Sequence, residues 1–409
     1  MIRKPALLFY CQHSLGMGHL VRTFSLAASL VEDFHVVFLN GGRFPTGIIP
    51  PAEIEIRNLP PLGMEEDGHH LVSQDERYTL ETAKLLRRQQ ILDCVETVQP
   101  EVILIELFPF GRKKFAGELL PLLKASRRIR PRRPLVMCSL RDIMVGARRD
   151  QTRHDERARW LADRYYDGVL VHSDPGFTRL EDSFKPQKPL QLPVHYTGFV
   201  TPQHAYESSK EREGRILVSA GGGIVGAPLF RAALVAHRKL WEEVKLPMTI
   251  VAGPFLPEGD WCELQESAYG IPGLELLRSV PDLGSLLVSA SASISQCGYN
   301  TAMDILSSGV PALVVPYAEG LQDEQINRAR RLEGLGLLRV LESTCLNGET
   351  LAAEIIQLMN FRPNPVGLNL SGAANTTRLV RECALATATQ RTAKPETLTK
   401  IPIRELAGV

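Results

Sequence analysis

Short apolar runs alternate with longer amphipathic stretches along this chain, and this alternation constrains the fold more than any other feature. The pattern is typical of βα units, in which parallel strands are covered by helices on both faces. The chain is therefore predicted to be an α/β protein. A long helix is expected at 73–97, where apolar residues recur at helical spacing. Strands are expected at 6–11, 35–39, 53–58, 102–105, 135–139, 168–172, 215–219, 248–252, 274–277, 292–295, 312–316 and 337–341.

The pattern breaks once, in a polar and charged stretch without periodicity at 202–214. This stretch is predicted to be a linker between two doubly wound domains, 1–201 and 215–386. The last residues, 387–409, are rich in Thr, Lys and Pro and are expected to form a flexible tail. Two such halves place the natural ligand site in the cleft between them.

Composition narrows the class of protein further. The 409 residues carry 47 Lys and Arg against 46 Asp and Glu, a net charge of +1, which disfavours a disordered chain and a general nucleic-acid binder. The seven cysteines are scattered without metal-ligand spacing, so free thiols in a reducing compartment and no metal site are expected. No apolar run approaches the ~18–20 residues of a membrane-spanning helix. A cytoplasmic protein, at most peripheral to a membrane, is predicted.

The first candidate motif follows the first strand, in the segment SLGMGHLVR. Gly16 and Gly18 allow a tight turn that opens a helix, whose free N–H groups suit an anion. His19 lies at that junction and is a candidate base. Arg22 falls on the same helix face, where it could hold a diphosphate, orient the base or form a surface salt bridge. A plain β-to-α connection is the alternative for the whole motif.

A second glycine turn follows the first strand of the second half. Gly221, Gly223 and Gly226 satisfy G-x-G-x-x-G, which raises a dinucleotide-binding alternative. That motif needs an acidic residue at the end of the next strand to hold the ribose, and here the strand ends at Ala252 and Gly253. An NAD-dependent dehydrogenase is therefore the weakest hypothesis, whereas binding of a diphosphate by backbone amides remains open.

The longest motif runs over 295–329. A strand leads into Gly298, and a helix is expected to begin near Asn300 and Thr301, whose side chains and amides could hold phosphate oxygens. Asp304, one turn later, could accept hydrogen bonds from two ribose hydroxyls. A polar cluster of the kind that contacts sugar hydroxyls follows the next strand at Asp323, Glu324 and Gln325. A capped helix and a polar loop would explain each piece separately.

These segments together resemble GT-B nucleotide-sugar glycosyltransferases, most closely the MurG type, through the glycosyltransferase family 28 C-terminal domain. The run QCGYNT, Asp304, the GVP at 309–311 and the cluster at 323–325 are similar to that family's donor-binding signature. The segment RSVPDLG, with Val280, is similar to the one beside its nucleobase. The N-terminal G-x-G-H-x-x-R is similar to that of PseG-type UDP-sugar hydrolases, which share the GT-B fold.

The resemblance implies two Rossmann-like domains, a UDP-sugar donor and no metal or other cofactor. It implies a ribose and base pocket at Asp304 and Val280, and donor-sugar contacts at 323–325. Gln296 departs from the family, because many relatives carry a phosphate-contacting His there. The diphosphate-binding residues expected are Gly16, Gly18, Arg22, Gly221, Gly222, Gly223, Gln296, Gly298, Asn300 and Thr301.

The expected reaction is inverting transfer of the sugar to an acceptor hydroxyl, with His19 as general base and UDP neutralised by helix N-termini. Glu106 follows a predicted strand at its C-terminal end and is expected to orient His19 or bind an acceptor hydroxyl; Asp142, with Arg141, also follows a predicted strand. The acceptor is not predicted. Alternatives are a UDP-sugar hydrolase, a sugar-nucleotide epimerase and a nucleotide-sugar binding protein without turnover.

One segment departs from the near-neutral average. Between Arg112 and Arg133 nine basic residues face one acidic residue, Glu118, and leucines are interleaved among them. Such a segment could lie on an anionic membrane or hold a polyanionic acceptor. A solvated loop and helix end is the alternative.

Overall fold

The computed structural model describes residues 4–13, 18–45, 48–65, 70–143, 150–201, 212–317 and 323–393, with side chains up to residue 387. Gly16, most of the expected linker and the end of the expected tail lie outside these residues.

The first half is built on a parallel sheet in the order β3-β2-β1-β6-β7-β8-β9. Its central strands are buried throughout, as expected for strands covered on both faces. A short antiparallel hairpin, β4-β5, lies outside the sheet. The strands are β1 Ala6–Cys11, β2 His35–Asn40, β3 Glu55–Asn58, β4 Leu62–Met64, β5 Leu71–Ser73, β6 Val102–Glu106, β7 Leu135–Arg141, β8 Gly168–His172 and β9 Val194–Tyr196. The helices are α1 Gly18–Leu30, α2 Leu80–Val98, α3 Ala116–Ser126, α4 Gln151–Tyr165 and α5 Leu180–Ser183.

The second half repeats this plan, with a parallel sheet in the order β12-β11-β10-β13-β14-β15. Its strands are β10 Ile216–Ser219, β11 Met248–Val251, β12 Leu274–Leu277, β13 Ala292–Ser295, β14 Ala312–Val314 and β15 Arg339–Val340. Its helices are α6 Ala227–Val244, α7 Glu258–Ala268, α8 Leu283–Ser289, α9 Tyr299–Ser308, α10 Glu324–Gly334 and α11 Gly348–Asn360. The α/β prediction with two doubly wound sheets is confirmed.

Strand order positions the site. In each sheet the order in which strands are added reverses at the first strand: later strands continue on its other side, from β1 to β6 in the first half and from β10 to β13 in the second. Ligands of open α/β sheets bind at the carboxyl ends of the strands at this reversal. The segments that follow β1 and β10, together with the ends of β6 and β13, are thereby brought to the cleft.

The helix predicted over 73–97 begins later than expected. Leu71–Ser73 pairs with β4 instead, and α2 starts after Thr79, whose side chain accepts a hydrogen bond from the Thr82 N–H. The apolar residues that predicted the helix begin at Leu80 and lie within α2, so the prediction was wrong only for the polar segment 73–79 before them.

The final helix, α12 Gly372–Ala393, returns to the first half. Ser29 on α1 and Thr377 on α12 share a buried hydrogen bond of 2.8 Å, and Val380 is fully buried among first-half residues. The packing therefore differs from the expected boundary, which grouped residues up to 386 with the second half. The helix also runs past residue 387, where the tail was expected to begin.

The two halves share a hydrophobic cluster. Ile143, Phe177 and Phe199 of the first half pack with Tyr299 and Ala302 of α9. Because the cluster excludes water at this contact, it holds the two strand-end edges against each other. Among the described residues no helix is long and apolar enough to cross a membrane.

Candidate functional site

His19 and Glu106 meet at the carboxyl edge of the first sheet. Nδ1 of His19 lies 2.6 Å from Oε1 of Glu106, the last residue of β6. The Glu106 side chain is fully buried and that of His19 is 16% exposed. An ionised carboxylate can only accept, so Nδ1 carries the proton and Nε2 is left with its lone pair. This is the arrangement of a general base oriented by a carboxylate.

The electrostatics keep His19 neutral and Glu106 ionised. Burial lowers the pKa of His19 below its ordinary value and outweighs the opposing pull of Glu106. Burial alone raises the pKa of Glu106, but His19, Arg22 and Arg112 together hold that pKa below its ordinary range. At neutral pH the imidazole can therefore take a proton.

Arg22 is buried beneath this pair. Its Nη2 donates to Oε1 of Glu106 at 2.5 Å, and its guanidinium carbon lies 5.3 Å from the centre of the Tyr299 ring. The guanidinium is engaged inside the protein, so its placement favours the role of orienting the base over contact with a diphosphate.

The glycine loop of the second half is packed against the end of the neighbouring strand. Gly221 and Gly223 have positive φ angles of 57° and 91°, and a Cβ on Gly223 would come within 2.3 Å of the Ala252 carbonyl oxygen. Only glycine fits at position 223. The loop leads into α6, whose first residue Ala227 follows Gly226 without a side-chain cap. The first N–H groups of α6 thus have no side-chain partner there and suit an anion.

The motif after β13 lies beside that loop. Gly298 precedes α9 without a side-chain cap, and Gln296 donates from Nε2 to the Val225 carbonyl oxygen at 3.0 Å. Thr301 is buried on the first turn of α9, and its Oγ1 faces Gly221. Gln296 therefore holds the glycine loop against the motif. The side chain that was expected to bind the diphosphate donates to the loop instead.

Asp304 is half-buried on α9, near Asp282, which caps α8. Burial raises the pKa of Asp304 to about 7, and the Asp282 charge adds to the rise. Val280 is half-buried and packs against the cluster that contains α9 residues. Both predicted ribose and base residues thus lie by the same helix.

The three residues expected to contact the donor sugar differ in their surroundings. Glu324 forms a two-pronged ion pair with Arg141 of the first half, with Nη1–Oε1 at 3.0 Å. Gln325 accepts through Oε1 from the backbone N–H groups of Cys297 and Tyr317, at 3.1 and 3.2 Å. Asp323 Oδ1 is buried without a hydrogen-bond partner among the described residues, which do not include 318–322. Of the three, Asp323 keeps an uncommitted oxygen.

The candidate base and the donor motif meet directly. Asn300 of α9 donates from Nδ2 to the carbonyl oxygen of Gly18, the first residue of α1, at 3.3 Å. The N-termini of α1 and α9 therefore face each other with His19 beside them. A second contact, a fully buried ion pair, joins Asp142 after β7 to Arg328 on α10 at 2.7 and 2.8 Å.

The described part of the chain contains no ligand set for a catalytic metal. No three His, Cys, Asp or Glu side chains come together there in a way that could hold an ion.

Comparison with known proteins finds a family likeness for the second half. Residues 217–377 match the model of the glycosyltransferase family 28 C-terminal domain. The second half is therefore similar to this family over these residues. Its glycine loop, the motif after β13 and α10 all fall inside the matched residues.

Similar proteins cover different shares of this chain. A UDP-N-acetylglucosamine--N-acetylmuramyl-(pentapeptide) pyrophosphoryl-undecaprenol N-acetylglucosamine transferase of Leuconostoc citreum is 24% identical over 149 residues, which are 36% of this chain and 40% of that protein. An uncharacterized glycosyltransferase of Methanosarcina mazei is 22% identical over 82% of this chain and 85% of its own. The chain thus spans about 40% of the first of these relatives and most of the second.

The fold of the chain is GT-B. The crystal structure of Acinetobacter baumannii MurG has a TM-score of 0.54 and 16% identity, and the match covers 94% of this chain and all of that one. The predicted GT-B architecture and the resemblance to the MurG type are confirmed.

Two residues of the site were not predicted. Arg328 donates to Asp142 and also to the Cys297 carbonyl oxygen at 2.8 Å, so it links the motif after β13 to the first half. Tyr299 lies inside the quoted motif, but no role was predicted for it. Of the residues that form these contacts, only Asp142 could be singled out from the sequence, because it follows a predicted strand.

Proposed function

We propose that this chain is an inverting glycosyltransferase that moves a sugar from a UDP-sugar donor to an acceptor hydroxyl without a metal, with His19 as general base. The observation that carries the proposal is the contact between Asn300 and Gly18, because it brings the donor motif of the family 28 domain beside His19.

Separate residues are assigned to the diphosphate, the ribose, the donor sugar and the acceptor proton. The uncapped N-termini of α6 and α9 receive the diphosphate, and Asp304 accepts hydrogen bonds from the ribose. Asp323 is assigned to the donor sugar because its Oδ1 has no hydrogen-bond partner among the described residues. Nε2 of His19 takes the proton of the acceptor hydroxyl as its oxygen attacks the anomeric carbon. The bond from that carbon to the diphosphate breaks, and UDP leaves with the electron pair.

The reaction is tested with a panel of nucleotide sugars incubated with the protein, with and without cell-extract acceptors, while free UDP and sugar products are measured. Acceptor-dependent release of UDP with an inverted anomeric centre is expected. Release that is equally fast without acceptor would indicate a hydrolase. Binding of UDP-sugars without any release would indicate a nucleotide-sugar binding protein.

Metal independence is tested in the same assay. Turnover in excess EDTA is expected to stay within about twofold of the untreated rate, because helix N-termini and backbone amides neutralise the leaving group. Loss of turnover in EDTA and its return with Mg²⁺ or Mn²⁺ would contradict this part of the proposal.

Donor affinity is expected to depend on pH through Asp304. Its carboxyl is charged above about pH 7 and protonated below. Since two ribose hydroxyls need an acceptor, the Kd of a UDP-sugar should rise about tenfold between pH 8 and pH 6. The Kd is measured by calorimetry with a UDP-sugar rather than with UDP, because a UDP-sugar has no terminal phosphate that titrates in this pH range. The Asp304→Asn variant should bind more weakly at pH 8 and lose this dependence, whereas an unchanged dependence in that variant would exclude Asp304 as its source.

The basic segment offers an electrostatic contact with an anionic membrane, but not insertion. Leu119, Leu122 and Leu123 are buried in the first-half core, which contradicts a helix that lays its leucines into lipid. Arg127 and Arg133 pair with Asp167. The basic residues that remain exposed are Lys113, Lys114, Lys124, Arg128, Arg130 and Arg132.

We therefore expect the protein to sediment with vesicles containing about one third anionic lipid at low salt and to be released as salt rises. A variant with Lys124→Glu and Arg128→Glu should sediment less. Equal recovery with purely zwitterionic vesicles would contradict an electrostatic contact.

A further inference from the structure

Tyr299 lies between two buried arginines that come from opposite halves. It is the first residue of α9 and is 6% exposed. Its ring centre is 5.3 Å from the guanidinium carbon of Arg22 and 5.8 Å from that of Arg328. Cations over an aromatic face at this distance are attracted to it, and more strongly where water is excluded.

The phenol hydroxyl is bonded to the first half on both sides. It accepts from the Val200 N–H at 2.9 Å and donates to the His172 carbonyl oxygen at 3.2 Å. The Phe199 ring packs against Tyr299 from the same segment. The Tyr299 side chain thus fixes the start of α9 to the first half through its hydroxyl and its ring, in addition to the Asn300–Gly18 contact.

A continuous set of contacts runs from α9, the helix of the donor motif and here called the donor helix, to the candidate base His19. Tyr299 contacts Arg22, Arg22 donates to Glu106, and Glu106 accepts from His19. We propose that Tyr299 is a positioning residue, through which the position of the donor helix sets the alignment of Arg22, Glu106 and His19. This inference rests on the proposed function and adds a residue that links its two halves.

The physical reason is that the Arg22 guanidinium makes two contacts at once. One of its amino groups donates to Glu106, and its carbon lies over the Tyr299 ring. A shift of α9 on donor binding moves the ring, and Arg22 must follow or lose the contact. Arg22 in turn determines how much of the Glu106 charge remains to act on His19.

The charged groups that act on His19 are few. Glu106 at the end of β6, Arg112 in the loop after it and Arg141 at the end of β7 all act on its titration. Arg22 lies on the helix of His19 and acts through Glu106. Of these groups, only Arg22 has a described ring contact with Tyr299.

The test compares Tyr299→Leu with Tyr299→Phe, which keeps the ring, and with Phe199→Leu, which removes packing at the same contact without touching Arg22. The titration of His19 is followed by NMR in ¹⁵N-histidine-labelled protein, with and without UDP. The acid limb of kcat/KM and the KM for the donor are measured alongside.

Tyr299→Leu should raise the pKa of His19 by about one unit, because Arg22 is less well held and Glu106 favours the imidazolium more. Its acid limb should move up by the same amount and kcat should fall about tenfold, with donor KM within about threefold. Tyr299→Phe and Phe199→Leu should leave the titration unchanged. Tyr299→Met, which fills the space without a ring, replaces the leucine variant if that one does not fold.

A His19 titration that is unchanged in the ringless variants overturns the proposal, as does an equal shift in Phe199→Leu. The titration in the absence of UDP needs no turnover. A failure of the proposed function, with no UDP binding and no product, is therefore distinguishable from a failure of this inference.

Discussion

His19→Ala is expected to lower kcat by about 10²- to 10⁴-fold, the range typical of losing a positioned general base. The reason is the geometry of Nδ1, held at 2.6 Å by Glu106 with Nε2 left to take a proton. The KM for the donor should change little, because the donor motif lies in the other half. The rate is measured as UDP release at saturating donor and acceptor.

The matched control is His35→Ala, at the opposite end of the first sheet, where His35 is exposed and pairs with Glu55 at 3.3 Å. It should keep kcat within about twofold. A His19→Ala variant with full turnover would remove the proposed base and leave donor binding as the remaining function of this site.

The pH profile gives a second readout of the same base. A base is active above its pKa and loses activity as pH falls through it. Since burial lowers the pKa of His19 below the ordinary value of about 6.5, turnover should persist at pH 6. Glu106→Gln removes a negative charge beside the imidazole, so its acid limb should move to still lower pH. A move upward would contradict the assignment.

Asp142→Ala is expected to destabilise the protein by about 3–5 kcal/mol, because it leaves the fully buried Arg328 guanidinium without its carboxylate. Urea unfolding followed by tryptophan fluorescence measures this, since Trp160 lies in the first half and Trp241 and Trp261 in the second. Separate transitions for the two halves are expected in the variant, because the pair joins them.

Arg141→Ala is the control for this prediction. The ion pair between Arg141 and Glu324 also joins the two halves. Because both side chains are about one fifth exposed, its loss should lower the free energy of unfolding by less than about 1 kcal/mol. Equal effects of the two variants would show that the buried pair has no special contribution.

The sheets could be predicted because buried parallel strands carry continuous apolar runs. The strands at 6–11, 168–172, 274–277 and 292–295 have the predicted bounds. The hairpin strands Leu62–Met64 and Leu71–Ser73 and the edge strand Val194–Tyr196 were missed, because each is short and contains a glycine or a polar residue, so it carries no continuous apolar run.

The meeting of His19 and Glu106 could also be anticipated, since both follow strands that flank the reversal in the first sheet. The partners of Glu324 and Tyr299 could not. Each depends on how the two halves face each other, and no local pattern of residues encodes that orientation. The path of α12 back to α1 belongs to the same class, because its amphipathic sequence fits either half.

Calorimetric titration of UDP into the full chain tests the central claim most directly, because it needs no acceptor. The account predicts one binding site per chain with a Kd between about 1 μM and 1 mM, and weaker binding in the Asp304→Asn variant at pH 8. No heat with UDP or with any UDP-sugar at millimolar concentration, from protein shown to be folded, would contradict it.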